Sequence, residues 1–142
     1  MTASPAPDAG AWLVDASVAL KWFLPAEREP DAELARAAVG QLMMRTTDLA
    51  VYEVGHVLTL HSGWEAARIE AALALLTEIC GTPVELLPAD RRLTAELALS
   101  HGLTFYDASY AAIGRRLGRR VLSADTDLLR PGLATGLREA LA

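Results

Sequence analysis

The chain has 142 residues, 52% hydrophobic and 22% charged, which allows a core burying about two-thirds of the unfolded surface and excludes a disordered or fibrous polypeptide. Its net charge is −5, and that balance argues against a broad electrostatic grip on nucleic acid. No apolar run approaches the ~20 residues that cross a bilayer, no secretion signal is visible in the first ten residues, and the single Cys80 has no internal disulfide partner, so a cytoplasmic protein without a membrane partner is expected.

Residues 1–10, rich in small residues and Pro, read as a flexible N-terminus, and residues 11–142 as one domain. Ala11-Trp12-Leu13-Val14 is a short apolar run between Gly10 and Asp15, the pattern of a buried parallel strand. Ser17 is placed to cap a helix through Phe23 that Pro25 ends. Helical spacing of Leu34, Ala35, Ala38, Val39, Leu42 and Met43 predicts a helix over 32–44, after which Thr46 to Asp48 is a turn or a minimal strand. The helix predicted over 49–61 carries Leu49, Tyr52, Glu53, His56, Val57 and Leu60 on one side, and a further helix runs from Trp64 to Ile79. Pro83 to Leu87 reads as a second buried strand, followed by a helix over 89–100 that Gly102 closes. Asp107 to Leu117 is helical, and Arg120 to Ser123 is a third strand. Beyond Leu129 no clear last strand is visible. Alternation of short apolar strands with helices predicts an α/β fold on a mostly parallel sheet.

In open α/β sheets, ligands bind outside the carboxyl ends of the strands. Asp15 directly follows the first strand and Asp125 stands just past the third, so both project at the same rim. Asp107 opens a helix, and Glu53 sits on a helix face that has to pack, where a lone carboxylate is costly. Singly, Asp107 and Asp125 serve equally well as residues at helix N-termini, and Ser17 and Ser123 as caps. Jointly, four carboxylates at one rim repel each other and demand a cation. His56, His61 and His101 lack zinc-site partners, so an all-oxygen site for Mg2+, or alternatively Mn2+, is implied, the kind that activates water for phosphodiester hydrolysis.

Leu13-Val14-Asp15-Ala16-Ser17-Val18-Ala19-Leu20-Lys21-Trp22-Phe23 resembles the opening motif of PIN domains, in particular of the VapC-like toxins of bacterial toxin–antitoxin pairs. Asp48 to Leu58, with its acid Glu53, resembles the second motif; Tyr106 to Gly114, with Asp107, the third; Leu122 to Leu129, with Asp125, the fourth. The four blocks fall in the family's order across residues 13–129. The resemblance implies a three-layer α/β/α sandwich and a Mg2+-dependent endoribonuclease acting on RNA. It also implies a homodimer neutralised by a cognate antitoxin. Asp15, Glu53, Asp107 and Asp125 carry over as metal-binding acids, Ser17 as the small polar residue supporting the first acid, and Ser123 where the family more often has Thr. Asp127 matches an accessory acid of some members. Arg115, Arg116, Arg119 and Arg120, between the last two motifs, are either RNA-backbone contacts or a solvated helix end complementing the dipole.

Two other readings bear on the same residues. A PIN-like module that binds RNA or protein without cleaving keeps the fold and the acids alike. A phospho-acceptor domain fits poorly: only Asp15 follows the first strand, Lys21 is the sole lysine, and position 17 is Ser17 rather than a second Asp.

Overall fold

Three short parallel strands form the centre of the computed structural model, which describes residues 10–142. The expected flexible segment 1–10 therefore lies outside the described residues except for Gly10. Strands β1 (Trp12–Val14), β2 (Met44–Thr46) and β3 (Val121–Leu122) are ordered β2–β1–β3. Trp12 stands beside Met44 and Val14 beside Thr46, while Leu13 stands beside Val121. The chain steps from β1 to one neighbour and later returns to the other. The carboxyl end of β1 is thus the topological switch point, where a crevice opens.

The apolar run of β1 is explained by helices on both faces. Trp12 and Val14 join a core with Val18, Ala35, Val54 and Leu76, from α1 (Ala16–Phe23), α2 (Ala32–Gln41), α3 (Asp48–Thr59) and α4 (Ala66–Cys80). Leu13 points the other way, onto Tyr110 and Ile113 of α6 (Phe105–Leu117), because successive strand residues alternate faces. Helix α5 (Arg91–His101) packs on α6 through Leu97, Ala108 and Ala112. The short helices α7 (Thr126–Leu129) and α8 (Leu137–Ala140) complete the chain. The architecture is the expected α/β/α sandwich.

Several elements differ from expectation, each for a local reason. Residues 83–87 form no strand; Val84 makes one parallel bridge to Thr47, through Val84 N–H to Thr46 O at 2.9 Å and Asp48 N–H to Val84 O at 3.0 Å. Pro83 supplies no donor, and Pro88 starts a 3-10 turn, so the pairing stops there. The missing last strand is likewise one bridge, Leu122 to Thr135, on the far side of β3. Helix α2 ends at Gln41 because Leu42 is already extended (φ −120°, ψ 141°) and leads into β2. Helix α3 is rotated from its predicted face: Ala50, Val54 and Leu58 are buried, while Tyr52 and Leu60 are 75% and 70% exposed. Its first turn is pinned by Thr47, whose side chain accepts from Ala50 N–H, and by the Asp48–Val84 bond, and these set the rotation.

Candidate metal centre

Asp15 ends β1 and is itself the N-cap of α1, its Oδ1 accepting from Val18 N–H at 3.3 Å. Ser17, expected as the cap, lies inside the helix and turns back on Asp15, its hydroxyl donating to Oδ1 at 2.6 Å. Ser123, immediately after β3, donates to Oδ2 at 2.5 Å. Each serine also accepts a backbone N–H of the turn after β3: Ser17 Oγ from Ala124, across the two strand ends, and Ser123 Oγ from Asp125 within its own turn, both at 2.9 Å. With both hydroxyl protons committed to Asp15, the 3.4 Å Ser17–Ser123 separation is proximity, not a donated bond. This lattice ties the ends of β1 and β3 together and orients Asp15. The carboxyl is 3% exposed, and burial pushes its pKa from 3.8 up to about 6, against the pull of the two serines and Val18 and with added repulsion from Asp125.

Asp107 lies in the first turn of α6, but Thr104 performs the capping, accepting from Asp107 N–H at 3.0 Å. The Asp107 carboxylate is thereby left to face Asp125 and Asp127. Asp125 caps α7, its Oδ1 accepting from Asp127 N–H at 2.9 Å. One carboxylate oxygen from each of Asp107, Asp125 and Asp127 lies within 4.8 Å of the other two. Burial raises the Asp107 pKa, and repulsion from Asp125 and Asp127 adds to it.

Glu53 comes to the same rim from α3. Burial raises its pKa first, then repulsion from Asp107, Asp15 and Asp125, while a hydrogen bond from Tyr110 opposes the rise. Tyr110 Oη donates to Glu53 Oε1 at 3.1 Å. The Tyr110 ring is 1% exposed, and burial, reinforced by the charges of Glu53 and Asp15, pushes its phenol far up, so it stays protonated and remains a donor. Tyr110 has no role in the sequence reading above; its signal is its position three residues after Asp107, one helical turn along the same face.

The four principal acids therefore converge, and Asp127 stands with Asp107 and Asp125 in the tightest set rather than at the margin. Such a group of like charges calls for a compensating cation. The donors are all carboxylate oxygens, with neither thiol nor imidazole in the cluster, so the set suits a hard divalent ion.

The four arginines lie elsewhere. Asp107 to Arg115 is about 12 Å along α6 at 1.5 Å per residue, and Arg120 precedes β3 whereas Asp125 follows it, so these arginines sit toward the opposite end of the sheet. Arg116 is a structural clamp: its Nε donates to both oxygens of buried Asp90 at 2.8 and 3.0 Å, and Nη2 to Glu85 O at 2.9 Å. Arg120 stacks on Trp12, 4.2 Å from the ring centroid. Helix-end sequence alone does not reveal that Asp90, 26 residues earlier, is the partner of Arg116.

Comparison with known proteins gives a consistent picture. Residues 12–132 match the model of the PIN domain. Ribonuclease VapC3 of Pyrobaculum aerophilum is 33% identical over 129 residues, covering 87% of this chain and 97% of that one. The crystal structure of PAE2754 from the same organism superposes with a TM-score of 0.65 at 26% identity, over 96% of both chains. Mycobacterium tuberculosis VapC20, described as a sarcin-ricin loop cleaving toxin, gives 0.70 at 17% identity over 86% of this chain and 95% of its own. FitAcB from Neisseria gonorrhoeae gives 0.65 at 17% identity over 87% and 94%. At 17% identity the last two speak to the fold alone.

Proposed function

The chain belongs to the PIN-domain family, in its VapC-like branch, and from that premise we propose that it is a Mg2+-dependent endoribonuclease, the toxin of a toxin–antitoxin pair. The observation that carries the reading is the convergence of Asp15, Glu53, Asp107, Asp125 and Asp127 on the carboxyl ends of β1 and β3, at the switch point of the sheet. A cytoplasmic homodimer held inactive by an antitoxin belongs to the same reading; among the described residues no helix is long and apolar enough to cross a membrane.

Asp15, Asp107 and Asp125 would hold the cation, Glu53 joining directly or through water and Asp127 from the open side. When bound, Mg2+ or Mn2+ lowers the pKa of a water molecule and offsets the charge that builds on the phosphate during in-line attack. Ser17 and Ser123 keep both Asp15 oxygens in fixed directions, so no reorganisation is needed when substrate arrives. Tyr110 occupies one oxygen of Glu53, which holds the carboxylate in place. Burial and mutual repulsion raise the pKa values of Asp15, Glu53 and Asp107, so a bound cation, which favours the ionised carboxylates, relieves that cost.

The test is cleavage of a structured RNA by the purified full chain. Cleavage is expected with Mg2+, and is expected to disappear with EDTA and in Asp15→Asn and Asp107→Asn. Cleavage retained by both variants would refute the carboxylate site, and no cleavage of any RNA with Mg2+ or Mn2+ would favour a module that binds without cutting.

A further inference from the structure

The chain has three tyrosines, and each stands beside an acid of the rim. Tyr110 donates to Glu53, Tyr52 directly precedes Glu53 in α3, and Tyr106 directly precedes Asp107 in α6. Tyr110 is buried, whereas Tyr52 and Tyr106 are 75% and 64% exposed. Among the described residues neither exposed ring meets another ring or a cation, and neither hydroxyl has a hydrogen-bond partner. Both lie outside the hydrophobic core, so packing does not account for them.

Helix geometry sets where the rings stand. Helix α3 follows the carboxyl end of β2, and α6 carries Asp107 in its first turn, so both helices begin at the rim. Side chains on a helix lean toward its N-terminus, which carries Tyr52 and Tyr106 toward the rim end. Tyr106 and Tyr110 are four residues apart on one stripe of α6, so Tyr106 lies one turn nearer the helix start than the Tyr110–Glu53 contact. The two exposed rings thus stand around that contact, one from each helix.

Their surroundings narrow the occupant. Tyr106 and the half-exposed Phe105 lie between Thr104 and Asp107, and Tyr52 has Asp48, Glu53 and His56 within about one turn. Carboxylates at this density disfavour an acidic partner and interrupt an apolar docking face. An uncharged ring beside an acidic rim suits a ligand that brings a phosphate for the cation and a π face for the ring. A nucleotide strand has both, since every base offers a π face.

We propose that Tyr106 and Tyr52 are substrate-binding residues whose rings stack on unpaired bases flanking the bond at the carboxylate rim, which selects single strands and loops over duplex. The inference rests on the ribonuclease reading. Bases inside a duplex are already stacked on each other and cannot lie on a tyrosine. A protein partner is the competing occupant, but the place of both rings directly beside acids of the cleavage site favours the strand.

The test compares the full chain with Tyr52→Leu/Tyr106→Leu, which keeps apolar bulk without a π face, and Tyr52→Phe/Tyr106→Phe, which keeps the rings. Fluorescence anisotropy with a single-stranded RNA of ~10 nucleotides in EDTA, where no cleavage occurs, reads affinity. The Leu pair is expected to bind about 100-fold more weakly, roughly tenfold for each base released, and the Phe pair within about twofold of the unmodified protein. A strand of equal length lacking its bases, and a duplex of the same sequence, are expected to bind all three proteins alike. The slope of log Kd against log salt is expected to stay the same, because no phosphate contact is lost. With Mg2+, KM for the single strand is expected to rise in the Leu pair while kcat holds. Equal affinity of the Leu pair and the unmodified protein for the single strand would overturn the proposal. So would an equal loss in the Phe pair or with the baseless strand, or intact RNA binding with lost binding of the co-expressed antitoxin. Tyr106→Leu alone, expected to lose roughly tenfold, covers the case in which the Leu pair does not fold. If no RNA is cleaved by the unmodified protein, the ribonuclease reading fails while the EDTA titrations still decide the stacking.

Discussion

Replacing Asp15 by Asn is expected to make the metal-free protein more stable, although it removes the residue at the centre of the site. Keeping a carboxyl whose pKa has moved from 3.8 to about 6 ionised at neutral pH costs about 3 kcal/mol. Asn keeps the shape but offers an amide where Oδ2 accepted from Ser123, and that mismatch returns about 1 kcal/mol. The net gain is about 2 kcal/mol, a rise in Tm of roughly 4–8 °C in EDTA at pH 7. The folded pKa lies above the unfolded one, so the folded chain binds this proton more tightly. The penalty is absent below 3.8, grows through the interval and is complete above about 6. The advantage of Asp15→Asn is therefore expected to shrink between pH 6 and 4. Mg2+ reverses the order: at ~100 times its Kd it stabilises the unmodified protein by about 2.7 kcal/mol, and the variant by less, having one ligand fewer. Differential scanning fluorimetry in EDTA and in Mg2+, from pH 4 to 8, reads all three effects. A variant no more stable than the unmodified protein in EDTA at every pH would refute the argument that burial strains this carboxylate.

Two further outcomes follow from single contacts. Arg116→Ala leaves buried Asp90 without its charged partner and is expected to destabilise the fold by about 3–5 kcal/mol, measured by urea unfolding, with no effect on rim chemistry in the surviving folded fraction. Tyr110→Phe removes the donor to Glu53 Oε1 while keeping the buried ring; Mn2+ affinity is expected to fall several-fold and kcat with it, and KM for RNA to stay constant. An equal loss in KM instead would place Tyr110 in substrate binding.

The sequence by itself determined that short apolar strands alternate with helices and that Asp15 and Asp125 follow the first and last of them, while it put the second strand at 83–87 and not at Met44–Thr46. A strand of Trp12, Leu13 and Val14 has no polar face, so it has to lie between two layers, and an acid directly after it has to stand at the rim. Glu53 was legible as a carboxylate among the apolar residues of α3, although the face expected to pack is not the one that does. What the sequence did not decide is long-range: α3 buries Val54 and Leu58 and not the expected side with Tyr52 and Leu60, Asp15 and not the expected Ser17 caps α1, and Arg116 finds its partner in Asp90. Helical spacing fits the buried stripe of Val54 and Leu58 as well as the expected one of Tyr52 and Leu60, and the pins at Thr47 and Val84 select the former. Ser123 and Ser17 are 106 residues apart, and Tyr110 and Glu53 are 57 apart, so their meeting at the rim depends on the order β2–β1–β3. The arginines show the same division. Their clustering is local and visible in the chain, but their distance from the acids is set by the direction of α6 and β3, a property of the sheet and not of the motif.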